Sequence, residues 1–348
     1  PHRALELCEA DISSAIQAVQ DKPLARSWLQ GMHRAVEQMN DAYQNSAQPG
    51  VRTGLERLDG VVGSMGRGDL YILAGRPSMG KSAIALNIAV RAALQGEGVF
   101  FASLEMGDEQ LAQRALSQML AERGESIAYS AMRRGDLDEE QFKSVLEVAR
   151  GAAEWPIYTC DPSCRSLTRL RGALSAAERQ FRAQGRSLGL IVIDYLQLVE
   201  PTGRYRAGDT NGRVSAASEA MKAMARHYDV PVLCLSQLNR AVELRDPAVP
   251  TLSDLRDSGS IEQDADVVMF CYRPEYYTEK KIENAKGAGK GLDAIADLEA
   301  ALYSQRNKLK IIVAKNRHGA PGTASLFCDV ARNVIADEAP HVQQEVFA

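Results

Sequence analysis

The sequence has no long hydrophobic run, no excess of basic residues and no regular cysteine framework. A membrane-spanning helix needs an apolar run of about 18 residues, and none of the apolar runs in this sequence approaches that length. No secretory signal opens the chain. We therefore expect no membrane contact. The formal net charge is −4, which gives no overall attraction to nucleic acid. Any nucleic-acid contact must come from a local patch or from backbone amides.

The six cysteines are scattered. Cys234 and Cys271 lie inside apolar runs and are expected to be buried core residues. Cys160 and Cys164 have C-x₃-C spacing without a second pair at zinc-finger spacing, which argues against a metal site. We predict a reduced protein of the cytoplasm. The chain opens at Pro1 rather than at Met, so we expect it to be a fragment of a longer product.

A complete phosphate-binding motif is present. Residues 75–82 fit the pattern G-x-x-x-x-G-K-[ST], with an apolar strand predicted before them and a helix after them. This setting argues against a chance match in a glycine-rich turn. Lys81 is expected to reach the β- and γ-phosphates, and the Ser82 hydroxyl to ligate Mg²⁺. The predicted phosphate-binding residues are Gly75, Arg76, Pro77, Ser78, Met79, Gly80, Lys81 and Ser82.

Apolar strands alternate with helices over residues 51–272. Near-continuous apolar strands predict an α/β fold, a P-loop NTPase core whose mostly parallel sheet is covered by helices on both faces. In such sheets ligands bind at the carboxyl ends of the strands. The predicted strands cover residues 70–74, 98–104, 155–160, 190–194, 231–237 and 267–272, and predicted helices include residues 109–121 and 167–184.

The chain is predicted to have three parts, which are a helical linker segment over residues 1–48, the α/β domain over 51–337 and a loose tail over 338–348. Apolar stripes over residues 4–19 and 28–39 mark two helices in the first part. They could pack within the chain or dock onto another subunit. We favour docking, because two short helices cannot bury both stripes by themselves.

Residues 279–308 interrupt the strand and helix pattern. Their lysines and glycines predict a mobile loop, followed by a short helix that begins near Leu292. We prefer a solvated insertion to a DNA-contacting loop. Beyond it, two β-rich runs around the Gly- and Pro-containing turn 315–322 predict a hairpin.

Polar side chains end three of the predicted strands. Asp194 fits an acidic residue that holds Mg²⁺ through water, and Glu105 fits a general base that polarises water beside the γ-phosphate. Gln237 could sense the γ-phosphate. From the residues alone, each of these three could instead occupy a turn or cap a helix. Lys315 and Arg317, at the hairpin turn, could supply positive charge to a neighbouring subunit's nucleotide, or could be a solvated basic turn.

Taken together, these motifs resemble the RecA-like motor domain of DnaB-type replicative DNA helicases. The likeness runs from about residue 52 to residue 330, and the run over 254–266 is highly specific to that family. There are two alternatives. One is a recombinase or loader, which uses ATP as a switch without unwinding DNA, and the other is a catalytically silent interaction module. The matching stretches are residues 53–55, 74–82, 103–106, 191–198, 235–240, 254–266 and 315–319.

The resemblance implies a hexameric ring that encircles single-stranded DNA and moves along it, 5′ to 3′, with ATP hydrolysis and Mg²⁺. It implies that nucleotide lies between subunits. Arg256, Asp257 and Gly259 would line the channel and hold DNA phosphates, partly through backbone amides. Lys81, Ser82, Glu105, Asp194 and Gln237 would lie on one side of the nucleotide, and Lys315 and Arg317 would come from the neighbour.

The chain departs from the family pattern in three places. Residues 1–48 match the family's linker-helix region at most, so loader or primase contacts are expected through missing or adjacent regions. Residues 203–220 match poorly, with Arg213 and Glu219 where the family tends to carry opposite charges. The insertion over residues 279–308 is longer than expected.

Overall fold

The computed structural model describes residues 27–45, 50–203, 205, 209–255, 258–289 and 292–338. By its internal contacts the chain divides into two units, Pro1–Pro49 and Gly50–Ala348. In the first unit the described residues form one helix, α1 (Trp28–Asn45), as the second apolar stripe predicts. The first stripe, over residues 4–19, lies outside the described residues. The exposed large apolar side chains of α1 are Trp28, Leu29, Met32, Val36, Met39 and Tyr43.

In the second unit, strands and helices alternate in the predicted order. The described strands are β1 (Leu70–Gly75), β2 (Gly98–Ser103), β3 (Ile157–Cys160), β4 (Leu188–Asp194), β5 (Val232–Gln237), β6 (Val267–Tyr272), β7 (Lys308–Asn316), β8 (Gly322–Asp329) and β9 (Val334–Ala336). The described helices are α2 (Glu56–Val62), α3 (Lys81–Leu94), α4 (Asp108–Glu122), α5 (Tyr129–Arg134), α6 (Glu139–Ala152), α7 (Leu167–Ala183), α8 (Thr210–Tyr228), α9 (Ser258–Asp264), α10 (Pro274–Gly287) and α11 (Leu292–Gln305).

The described strands form one sheet in the order β3-β2-β4-β5-β1-β6-β7-β8-β9. The first six strands in this order run parallel, and β7, β8 and β9 continue the sheet antiparallel. The predicted mostly parallel α/β sheet is therefore confirmed, as is the β7–β8 hairpin. Because the parallel strands share a direction, the carboxyl ends of β1, β2, β4 and β5 meet at one edge.

Helices cover both faces of this sheet and bury two separate cores. Alternate residues of β1 serve opposite faces, because successive side chains in a strand point to opposite sides. Tyr71 and Leu73 pack in the core that contains α3, and Leu70 and Ile72 in the core that contains α7 and α8. Burying one such side chain contributes about 1.5–3 kcal/mol. These layers fix β1 rigidly beneath the loop that follows it.

Two regions differ from the sequence-based expectation. Helices α5 and α6 were not predicted, although Asp138 and Gln141 form a capping box at the start of α6. The prediction of a mobile loop before Leu292 is wrong, because α10 is a helix with Pro274 in its first turn and Ile282 buried. That buried face stabilises the helix despite its many charged residues.

Cys234 and Cys271 are buried as expected, and Cys160 and Cys164 are free thiols. Over the stretches that the structure describes, none of the helices combines the length and the apolar character needed to cross a membrane.

Candidate functional site

The phosphate-loop motif joins β1 to α3 at the carboxyl edge of the sheet. Gly80 has a positive φ of 88°, which a residue with a side chain rarely adopts. At Gly75 a Cβ atom would lie 3.3 Å from the Cys271 carbonyl oxygen and from the Lys81 Cγ. The two glycines therefore permit a tight turn whose N–H groups lead into a helix N-terminus, which is a favourable place for phosphate oxygens.

Lys81 is the first residue of α3, and its side chain folds back over the loop. Its Nζ donates to the Gly75 carbonyl at 2.7 Å and to the Arg76 carbonyl at 3.1 Å. Burial lowers the pKa of Lys81, and the nearby carboxyl groups of Asp194 and Glu105 oppose this. The ammonium group is therefore held beside the loop by carbonyl oxygens that a phosphate group could replace.

Asp194 ends β4 and is 2% exposed. Burial raises its pKa, and the Ser82 hydroxyl, which hydrogen-bonds to the carboxyl group, acts in the opposite direction. Asp194 lies opposite Ser103, the last residue of β2, in the parallel register. Two residues beyond Ser103 comes Glu105, which is exposed. The two predicted carboxylates thus follow adjacent strands, and the charge of Glu105 raises the pKa of Asp194.

Gln237 ends β5 and pairs in register with Gly75. Its backbone is held by Gln197, whose Oε1 accepts from the Gln237 N–H at 3.2 Å and whose Nε2 donates to the Ser236 Oγ at 2.9 Å. The side chain of Gln237 hydrogen-bonds to Tyr195. A defined side-chain position next to the phosphate loop suits a group that responds to an occupied site.

One cavity of about 430 Å³ brings these predicted residues together. It lies along the carboxyl edge of the sheet and opens between the phosphate loop and the turn after β8. Polar groups and a charged cluster line it, which suits a phosphorylated ligand. The predicted residues in its wall are Pro77, Ser78, Gly80, Lys81, Ser82, Glu105, Asp194 and Gln237.

Two arginines in the same wall were missed by the sequence reasoning, Arg114 on α4 and Arg273 directly after β6. Arg273 Nη1 donates to the Ser78 carbonyl at 3.0 Å, and Arg114 Nη1 donates to the Asn333 Oδ1 at 2.9 Å. Within the described chain, the Nε atoms of both arginines are buried without a hydrogen-bond partner. Arg273 could have been found, because it ends a strand at the predicted edge, whereas no local pattern marks Arg114.

The residues of the cavity fit a nucleoside triphosphate with Mg²⁺. A hydroxyl and a carboxylate, from Ser82 and Asp194, are the oxygen ligands that Mg²⁺ prefers. A Cβ atom at Gly75 would lie close to its neighbours, and because glycine has none, no side chain covers the loop backbone there. The buried Nε atoms of Arg114 and Arg273 are donors that an anionic ligand could use.

Lys315 and Arg317 do not line this cavity. Asn316, between them, pairs with Val267 at the amino end of β6, and Val267 pairs with Tyr71 near the amino end of β1. The phosphate loop follows the other end of β1, one strand length or about 17 Å away. The structure therefore separates the two predicted basic residues from the rest of the predicted site within one chain.

The segment predicted to hold DNA is only partly described. Arg256 and Asp257 lie outside the described residues, and Gly259 is exposed on α9. The chain before this segment is fixed near the end of β5. Leu255 forms a β-bridge with Leu238, and the buried Asp254 pairs with Arg245.

Comparison with known proteins gives a consistent family. Residues 50–333 match the model of the DnaB-like helicase C terminal domain. The replicative DNA helicase DnaB of Rickettsia felis is 37% identical over 327 residues, which cover 90% of this chain and 63% of the relative. The chain thus spans less than two thirds of the length of such curated relatives.

Two solved structures are similar over most of the chain. One is an ATPase domain that superposes with a TM-score of 0.74 at 28% identity, covering 90% of this chain and 99% of that domain. The other is a DnaB-like replicative helicase, solved in a study of its interactions with primase, which superposes with a TM-score of 0.70 at 26% identity. This second likeness covers 96% of this chain and 76% of that helicase.

The role of Glu105 as the general base can be tested by substitution. Glu105→Gln removes the proton acceptor but keeps the shape and size of the side chain, so we expect nucleotide binding to be retained and hydrolysis to fall by about 10²–10⁴-fold. Binding of a fluorescent nucleotide and phosphate release under single-turnover conditions measure the two effects separately. Unchanged phosphate release would show that Glu105 is not the base.

Proposed function

The chain belongs to the family of DnaB-like helicase C-terminal domains, and we propose on that premise that it is the ATP-hydrolysing motor of a replicative DNA helicase. In this proposal it moves along single-stranded DNA and unwinds duplex DNA ahead of it, 5′ to 3′. The observation that carries the proposal is the single cavity that unites the phosphate loop with Glu105, Asp194 and Gln237. A protein that only binds nucleotide would not need an exposed carboxylate beside the phosphate loop.

Each residue has a separate task in hydrolysis. The loop amides and Lys81 bind the phosphate oxygens. Ser82, and Asp194 through water, would hold Mg²⁺, and the ion would neutralise negative charge on the phosphates. Glu105 accepts a proton from water as the water oxygen attacks the γ-phosphorus and the bond to the β–γ bridging oxygen breaks. Gln237 then reports the loss of the γ-phosphate to the segment that follows β5.

Lys315 and Arg317 complete the site from a second copy of the chain. Their distance from the phosphate loop of their own chain supports this, because a strand length separates the two positions. A head-to-tail contact between copies would bring the amino edge of one sheet to the carboxyl edge of the next. Contacts of this kind give a ring when the rotation between copies closes and an open filament when it does not, and we propose the hexameric ring that the family resemblance implies.

Apolar surfaces on the two units support association between copies. Helix α1 exposes Trp28, Met32 and Val36 along one stripe. In the second unit, an apolar groove of about 470 Å³ lies between α4 and α6. Phe142 and Leu146, also on α6, are exposed apolar side chains. We propose that the groove of one copy receives α1 of a neighbouring copy, which would remove both apolar surfaces from water.

DNA binding is assigned to the segment that contains Arg256, Asp257 and Gly259. The bridge between Leu238 and Leu255 supports this, because it ties the segment to the strand that ends in Gln237. A change at the nucleotide could then alter the grip on DNA phosphates. Contacts with primase or a loader would use regions adjacent to the motor unit. The cytoplasmic location stays a prediction.

Strand displacement on a forked DNA substrate tests the proposed function. We expect ATP-dependent displacement by the wild-type chain and none by Lys81→Ala, because that variant lacks the cation that binds the phosphates. A 5′-tailed fork and a 3′-tailed fork serve as a matched pair for polarity. DNA-stimulated hydrolysis without displacement on either fork would favour the alternative, an ATP-switched DNA-binding protein such as a recombinase or loader.

A mixing experiment tests whether the site is shared between copies. Arg317→Ala should lower the hydrolysis rate by about 10³-fold or more, because an arginine that neutralises the transferring phosphate contributes that much. Mixing it with Lys81→Ala should restore part of the activity, since one variant supplies an intact phosphate loop and the other an intact arginine. Normal turnover by Arg317→Ala alone, or no restoration in the mixture, would contradict the shared site.

A further inference from the structure

A buried cluster of charged side chains lies at the amino edge of the sheet, away from the cavity. Asp266, directly before β6, is 4% exposed, and Lys222, on α8, is 9% exposed. The Lys222 Nζ lies 2.5 Å from the Asp266 Oδ2 and 3.6 Å from the Asp69 Oδ1. Buried ion pairs add little stability compared with apolar packing, because removing charges from water is costly. Stability alone therefore does not explain this buried cluster.

Asp266 hydrogen-bonds to both the side chain and the backbone of Arg317. The Asp266 Oδ1 accepts from the Arg317 Nη1 at 3.1 Å, and the Asp266 carbonyl accepts from the Arg317 backbone N–H at 2.9 Å. The second carboxylate oxygen accepts from the Leu70 N–H at 2.8 Å and from Lys222. Asp266 thereby connects the arginine to the start of β1 and to α8.

The guanidinium group of Arg317 remains partly exposed and can bind another ligand. Its Nη2 donates to the Gln263 carbonyl at the end of α9. The bonds to Asp266 and Gln263 use two of the five N–H groups that an arginine side chain carries. The side chain of Arg317 is 45% exposed. It can therefore bind an anion of a neighbouring molecule while one edge stays attached to its own chain.

The cluster is already balanced in charge. Burial raises the pKa of Asp266, but the Lys222 hydrogen bond, the Leu70 N–H and the charge of Arg317 together lower it below the usual range. Ligand atoms of Asp69, Asp266 and His318 lie within 4.8 Å of one another. The Lys222 ammonium, which lies close to both carboxylates and also donates to the Gly68 carbonyl at 2.8 Å, supplies the positive charge that a metal ion would bring.

We propose that Asp266 is a positioning residue for Arg317, and that Lys222 braces it, so that the guanidinium reaches the γ-phosphate bound by the next copy in a fixed orientation. This proposal rests on the shared site described above. Geometry matters in such transfers, since a misplacement of about 1 Å can cost about 10²-fold in rate. Asp266 itself touches no reacting atom.

The test compares Asp266→Asn with Asp69→Asn as a matched control. Both variants remove one negative charge from the same cluster, but Asp69 pairs with Lys222 and His318 rather than with Arg317. We expect Asp266→Asn to lower kcat for ATP hydrolysis roughly 10–100-fold with little change in KM. Asp69→Asn should stay within about threefold of wild type.

Mixing separates a positioning role from a general loss of structure. An Asp266→Asn chain keeps its own phosphate loop, so Lys81→Ala chains should restore part of its activity, as they should for Arg317→Ala. Arg317→Ala chains should restore none. Wild-type kcat in Asp266→Asn would overturn the positioning role alone. The same conclusion would follow if Lys81→Ala chains restored the activity of Arg317→Ala but not that of Asp266→Asn. Failure to restore Arg317→Ala would overturn the shared site, and the positioning role with it.

Asp266→Glu is the second variant, for the case in which Asp266→Asn does not fold. It keeps the charge beside Lys222 but moves the carboxylate by one methylene, which displaces the guanidinium. We expect a smaller loss of kcat, roughly 3–10-fold, with the same pattern of restoration in mixtures. Wild-type kcat in Asp266→Glu, together with wild-type kcat in a Lys222→Met chain, would show that the position of Arg317 does not depend on this cluster.

Discussion

The structure depends on the direction of one central strand. Strand β1 carries the phosphate loop at its carboxyl end, and its amino end lies at the same edge as the hairpin turn that carries Arg317, with β6 between them. Because a strand cannot fold back on itself, the two halves of the proposed site lie at opposite edges of the sheet. In the proposed function, a single chain binds nucleotide and Mg²⁺ but cannot bring its own Arg317 to the γ-phosphate, so that assembly is a condition for rapid hydrolysis.

Much of this arrangement could be predicted from the sequence. The parallel strands are mostly apolar runs, and three of them carry a chemically distinctive residue at or just after their end. Asp194 and Gln237 end β4 and β5, and Glu105 follows β2 by two residues. The positions of those residues along the edge follow from parallel pairing. Other features depend on contacts that no local pattern records. Helix α10 forms because Ile282 is buried, and Arg114 lines the cavity through the packing of α4.

The cluster around Asp266 could not be predicted for the same reason. Its members come from the residues directly before β1 and β6, from α8 and from the hairpin turn, which are far apart in the chain. Only the folded sheet brings them together. This gives a physical link between the two edges, since Asp266 bonds to the first residue of β1 while the last residue of β1 begins the phosphate loop. The rigid core between them keeps both halves of the proposed site in register.

In the proposed function, one chain holds only part of the active site. This can be tested by measuring ATP turnover per chain with single-stranded DNA over a wide range of protein concentration, beside a mass measurement of each sample. We expect turnover per chain to follow the assembled fraction and to fall toward zero where the mass is that of a monomer. Full turnover per chain in samples that contain only monomer would contradict it.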